Sequence, residues 1–276
     1  MAITGISSAK SHDIVFNHII VKDICEKDYA MHYHDRCEMI FFIRGDAQYV
    51  AEGRSYKLGF GDVIISRPSV IHAIMPKASS DYERINFIID EKLLPKTLWH
   101  RIKSGRDVFR CADNERITDL FAKLDFYYGK FEDEEYARLA FNIVEEVLLN
   151  LSITEGEEAQ AGKNPLLEKA LFYIRENLTE IVSVEEISKA LYITKSHLHH
   201  LFSKNLKLTP AKYITQKRLM LAQKKIRRGG KPTVIFAECG FEDYATFFRN
   251  YKKHFGYSPA EQRNTEVGST MTVTEL

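Results

Sequence analysis

Between residues 14 and 90 the apolar positions fall in short blocks, EMIFFI (38–43), AQYVAE (47–52) and DVIISR (62–67). They are β-branched or aromatic and are cut by turn signals at Gly45-Asp46, Glu52-Gly53 and Gly59 to Asp62. This pattern predicts strands, and short strands at such spacing predict a sandwich or small barrel. From about Asn114 the period lengthens. ERITDLFAKLDFYY and EEYARLAFNIVEEVLLNLS repeat apolar residues three and four apart, as helices do. In the second, Leu139, Ile143, Val147 and Leu151 form a stripe broadened by Val144 and Leu148. The stripe suits a core helix or a seam between two copies, and a homodimer sealed along it is the expectation carried forward.

TEGEEAQAGKNP (154–165) has no period and reads as a linker. Beyond it, helices are predicted over 165–178, 183–191, 195–205, 210–228, 232–238 and 243–255, with a short turn from 259. The expected domains are therefore 1–153 and 166–263, with a frayed tail over 264–276.

At 276 residues the chain has room for two cores. The start, MAITGISSAKSHD, has no basic stretch leading into an apolar one, so no secretory signal is expected. No apolar run is long enough to span a bilayer. Cys25, Cys37, Cys111 and Cys239 form no CxxC pair and fit reduced thiols. A cytoplasmic protein with no membrane partner is the expectation. The net charge of +1 hides an asymmetry: residues 166–263 hold 18 Lys plus Arg against 9 Asp plus Glu, and the remainder 21 against 29. A basic half of net +9 suits a polyanionic partner.

Within that half the chain repeats itself. HLHHLFSKNLKLTPA, from His197, aligns with TFFRNYKKHFGYSPA, from Thr246, at a register of 49 residues. Thr209-Pro210 and Ser258-Pro259 each place a capping hydroxyl before a proline at the first helical position. A short amphipathic helix precedes each copy, SVEEISKAL or TVIFAECG, with Gly240 free to take a positive φ in the second turn. A short helix, a turn and a second helix with polar residues outward is a helix-turn-helix. Among the histidines at 197, 199 and 200, one is expected to face inward.

Residues 166 to 263, and above all CGFEDYATFFRNYKKHFGYSPAEQR, resemble the AraC (arabinose regulator) family of transcription factors. Gly240, Phe241, Phe247, Lys252, Lys253, Gly256, Ser258, Pro259 and Arg263 fit the family pattern. Phe236, Tyr192, Tyr251 and Gln262 depart from it. The resemblance implies double-stranded DNA as partner. It places base contacts at Lys195, Ser196, His199, His200 and Ser203 in the first unit, and at Tyr244, Ala245, Phe248, Arg249 and Lys252 in the second. Lys224, Lys225, Arg227, Arg228 and Lys231, near the end of the connecting helix, are candidates for phosphate contacts.

HYHDRCEMIFFIRG (32–45) matches the first cupin motif, HxH-x3-E-x6-G, in full. The second motif is partial: Gly61, Pro68 and His72 are present, but Val70 stands where glycine is usual. Alternation puts His32 and His34 on one strand face, and Asp35 to Cys37 must bend to bring Glu38 beside them. In cupin enzymes such as dioxygenases or isomerases, His32, His34, Glu38 and His72 would be metal ligands. In regulators resembling this one the same barrel senses a small molecule, with a sugar as the first class to consider. The reading is thus an α+β two-domain regulator. It has an N-terminal cupin-like β-barrel followed by helices, and a C-terminal all-α double helix-turn-helix. His32, His34, Glu38 and His72 line the effector pocket, and no metal, cofactor or enzymatic activity is expected.

Overall fold

A computed structural model of the chain describes residues 2–11, 14–22, 31–34, 36–77, 81–102, 106–153, 162–180, 183–261 and 271–272. They divide into two compact units, one drawn mainly from residues 1–162 and the other mainly from 163–276. Most of the expected linker, most of the tail, and Cys25, Asp35, Gln262 and Arg263 lie outside the described residues. Residues 162–163 and 271–272 are two-residue strands.

In the first unit one sheet takes the order β1 (Ala2–Lys10), β2 (Ile14–Lys22), β9 (Tyr82–Ile89), β4 (Cys37–Arg44), β7 (Asp62–Ser66), β10 (Val108–Arg110), and its pairings are antiparallel. A second sheet joins β6 (Arg54–Lys57), β5 (Ala47–Ala51), β8 (His72–Pro76) and β3 (His32–Tyr33) in that order. Strands β4 and β7 of the first sheet are buried on both faces. Ile40 and Phe42 of β4 share a core with Tyr49, Tyr56 and Ile74 of the second sheet. The alternate residues Met39 and Phe41 pack against Leu98 of α1 (Lys96–Ile102), Phe121 of α2 (Glu115–Tyr127) and Val147 of α3 (Asp133–Ile153). This is why EMIFFI and DVIIS read as unbroken apolar runs: each of their faces meets a different layer.

The α3 stripe overturns one expectation. Ile143, Val147 and Leu151 are buried within the protomer among the residues of sheet and helices, and Leu139 packs on the same cluster. The stripe is core and leaves nothing for a dimer seam. β1 was not foreseen, since AITGISSAK exposes nearly every side chain and shows no apolar alternation; it is held by its ladder to β2.

In the second unit the helices are α4 (Pro165–Glu176), α5 (Val184–Ala190), α6 (Lys195–Leu206), α7 (Pro210–Arg227), α8 (Pro232–Glu238) and α9 (Tyr244–Phe255). The foreseen caps are present. Thr209 accepts from the Lys212 N–H at 3.3 Å ahead of Pro210, and Ser258 and Glu261 exchange reciprocal bonds. Ser183 and Glu186 form a further capping box on α5. Arg218 of α7 ties the unit together. Its guanidinium donates to the Leu178 carbonyl at 2.8 Å, the Gly240 carbonyl at 2.6 Å and the Glu180 carbonyl.

Candidate functional site

The two repeats fold alike. Leu198, Phe202 and Leu206 of α6 occupy the buried positions that Phe247, Tyr251 and Phe255 fill in α9, at the 49-residue register. Each helix opens on a side-chain cap, Thr194 to the His197 N–H at 3.1 Å and Asp243 to the Thr246 N–H at 2.7 Å. Upstream the register changes to 48. Ile193 N–H bonds the Ser188 carbonyl at 2.9 Å as Phe241 N–H bonds that of Phe236 at 3.1 Å, so the second turn is one residue longer before its cap. Both turns close through a left-handed residue, Gly240 at φ 81° and Tyr192 at φ 57°. Tyr192 therefore keeps the glycine geometry with its ring in solvent. Phe236 finds room by packing on Tyr244 and Phe247.

The outward faces follow. Lys195, Ser196, His199, His200 and Ser203 are exposed on α6; Ala245, Arg249 and Lys252 are exposed on α9, with Tyr244 and Phe248 half-buried beside them. His197 is also exposed, against the expectation of an inward histidine. It is the third residue of α6, in the first turn, one position before the buried Leu198. Arg249 donates to Thr246 Oγ1 at 3.2 Å, which steadies its guanidinium on the outer face. Of the phosphate candidates, Lys224, Arg228 and Lys231 are exposed, whereas Lys225 is paired with Glu238 at 2.6 Å and Arg227 is half-buried.

His34, Glu38 and His72 converge in the first unit, each offering a ligand atom within 4.8 Å of the others, whereas His32 falls with the second unit. The foreseen bend is a change of sheet: the chain leaves β3 after Tyr33 and enters β4 of the other sheet at Cys37. His34, Glu38 and His72 are only 1%, 3% and 1% exposed, a closed polar knot more than the wall of an open pocket, and His32 is half-buried. The Nδ1 atoms of His34 and His72 lie 2.7 and 2.8 Å from the carbonyls of Arg36 and Val70. Their Nε2 atoms lie 3.3 and 2.9 Å from one oxygen, Glu38 Oε2. Burial raises the Glu38 carboxyl, but the two imidazoles outweigh it and hold the group well below the usual carboxylate range.

A third buried histidine escaped the sequence reading. His18 Nδ1 meets Asp125 at 2.8 Å and Nε2 meets Glu83 at 3.0 Å, while Ser7 Oγ donates to Asp125 at 2.7 Å. The partners are 107 and 65 residues away, so no local spacing announces them. The hydroxyl donates to the carboxylate and not to the imidazole, so the trio lacks the base beside a nucleophile that acyl transfer needs. Burial pulls the His18 pKa down, and the hydrogen bonds and charges of Asp125 and Glu83 more than reverse this, leaving it raised. A raised folded pKa gives stability that is complete below the unfolded value, about 6.5, and fades as pH rises through the folded one. His18→Gln should therefore destabilise the full chain most near pH 5.5, with the gap from wild type narrowing towards pH 8.5. Denaturant melts at both pH values check this, and a gap that widened with pH would contradict it.

Comparison with known proteins gives matches in both units. A model of the AraC-like ligand binding domain matches residues 22–124, and a helix-turn-helix domain model matches residues 187–265. The HTH-type transcriptional regulator ArgR of Pseudomonas aeruginosa is 27% identical over 169 residues, 57% of this chain and 51% of that protein. The chain thus spans about half the length of that curated relative. The lactose operon transcription activator of Staphylococcus xylosus is 34% identical over 102 residues, 37% of each chain. The arabinose operon regulatory protein of Escherichia coli K12 is 24% identical over 233 residues, 80% of this chain and 78% of that one. Among solved structures, ToxT from Vibrio cholerae O395 is 14% identical, with a TM-score of 0.39, covering 94% of this chain and 100% of that one.

Proposed function

Because the chain belongs to the AraC family of transcriptional regulators, we propose that it is a sequence-specific DNA-binding regulator controlled by a small molecule held in the first unit. The observation that carries this reading is the pair of helix-turn-helix units, each presenting an exposed polar face on its second helix. The connecting helix α7 has 18 residues, about 27 Å at 1.5 Å per residue. This suits two recognition helices entering successive major grooves, ~34 Å apart along one face of the duplex. Lys195, Ser196, His199, His200 and Ser203 then face one groove, and Tyr244, Ala245, Phe248, Arg249 and Lys252 the next. The protein acts as a cytoplasmic homodimer and catalyses no reaction; a sugar is the first effector class to screen, by ligand-induced rise in melting temperature. His32, His34, Glu38 and His72 are the residues whose substitution should alter the response to such an effector.

The test begins with selection of bound sequences from a random duplex pool by the full chain; failure to enrich any motif would refute the reading. Two variants then place the second helix. Arg249 can pair with guanine, so Arg249→Ala should relax one position of the motif and cost about 1–3 kcal/mol. Lys252 sits at the border of the face and should meet phosphate, so Lys252→Ala should weaken all sequences alike. Identical changes in the two enriched motifs would show that α9 enters the groove differently.

A further inference from the structure

The two helix-turn-helix motifs differ at a pair of backbone positions. α6 and α9 each lie between two left-handed residues, one in the turn before the helix and one at its C-cap. In the second motif both are glycine, Gly240 at φ 81° and Gly256 at φ 80°. In the first they are Tyr192 at φ 57° and Lys207 at φ 56°. Glycine takes this conformation freely, whereas a side chain there crowds its own backbone. At Gly240 the small residue is imposed, since a Cβ would lie 2.8 Å from the Arg218 guanidinium. Packing imposes neither side chain in the first motif. Tyr192 is 96% exposed, the most exposed large apolar side chain among the described residues, and its ring makes no hydrogen bond or ring contact among them. Lys207 is exposed as well.

A side chain kept in a strained conformation without a packing reason points to a partner. Tyr192 stands just ahead of residues 194–197, the exposed head of α6. Lys207 continues the outward row of Ser196, His200 and Ser203, at helical spacings of four, three and four. We propose that Tyr192 and Lys207 grip the DNA phosphate backbone on the two sides of the major groove that α6 enters. α6 has 12 residues, about 18 Å at 1.5 Å per residue, and the groove is ~12 Å wide. A helix longer than the groove is wide brings its two ends to the two phosphate walls. There the phenol hydroxyl donates to a phosphate oxygen, and the ammonium group meets the charge of another. The second motif, with glycine at both places, has no such grip, so the first is the anchor of the pair. The inference rests on the DNA-binding reading and names the residues that fix its first half-site.

The test measures the affinity of the full chain for its selected duplex, with melting curves on the same variants. Tyr192→Gly and Lys207→Gly place at each position the residue that the second motif carries there. The melting temperature should stay level or rise, because glycine relieves the strain. Affinity should nevertheless fall roughly tenfold or more in each variant, for all sequences alike. Salt separates the two residues. Lys207→Gly should lower the slope of log affinity against log salt by about one, whereas loss of the uncharged Tyr192 leaves the slope unchanged. Tyr192→Phe keeps the ring without its hydroxyl and should bind as weakly as Tyr192→Gly. Unchanged affinity in either glycine variant, full affinity in Tyr192→Phe, or losses accompanied by a melting temperature lower by several degrees would overturn the proposal. Unchanged affinity with lost promoter control in cells would also overturn it, and would assign the pair to a protein partner. A wild-type chain that enriches no duplex refutes the regulator reading and takes the grip with it. A wild type that binds, beside variants that bind equally well, refutes the grip alone.

Discussion

Val147→Asp is expected to destabilise the first unit severely. Val147 is fully buried where α3 crosses sheet and helices. The substitution forfeits about 1.5–3 kcal/mol of side-chain burial and leaves a polar group that its apolar neighbours cannot satisfy. A combined cost of about 4–5 kcal/mol is at the top of the range for single changes, against a typical domain stability of about 5–15 kcal/mol. At about 2–4 °C per kcal/mol for a unit of this size, the melting temperature should fall by roughly 10–20 °C. Leu149→Asp, two residues on but exposed, should change stability by no more than about 0.5 kcal/mol. Sedimentation separates the core from a seam. A residue in a seam would give a well-folded monomer on substitution, whereas a core residue gives a loosened chain with early melting.

DNA affinity should collapse with salt. Six or more phosphate contacts, drawn from exposed groups such as Lys207, Lys224, Arg228, Lys231 and Lys253, release as many condensed counterions on binding. The affinity then falls about a thousandfold or more between 50 and 200 mM salt. Fluorescence anisotropy of the full chain on its selected duplex measures the slope. A flat profile would mean that the +9 half meets no phosphate backbone, whatever the sequence of its recognition helices suggests.

How much of this was legible depended on the distance over which each feature is encoded. Helices α2 to α9 announced themselves because caps, period and proline positions lie within a few residues of one another. The strands β4, β5 and β7 were equally plain, but their two-sided burial was not, since a continuous apolar run does not say which layers it separates. β1 carried no signal because pairing, not burial, holds it in place. The HxH-x3-E motif gave the members of the buried cluster, while the tautomers of His34 and His72 depend on two carbonyls whose direction only the fold sets. The 49-residue repeat concealed the single extra residue of the second turn. Tyr192 in a glycine conformation broke the expected correspondence of residue type while keeping that of backbone.

Arg218 alters how the second unit should be regarded as a reader of DNA. Its three carbonyl bonds reach from the middle of α7 to the turn that follows α4 and to the turn of the second helix-turn-helix. One side chain thereby staples the segment that leads into the first motif to the elbow of the other. Two recognition helices on a slack tether would find their grooves in sequence, the second at an effective concentration set by the tether's wandering. Held by one stiff helix and a shared guanidinium, they behave instead as the two arms of a chelator, whose bite is fixed before the duplex arrives. Such a reader gains little from either half-site alone and rejects a pair whose spacing is wrong by a single base pair, because that error also rotates the second groove out of reach.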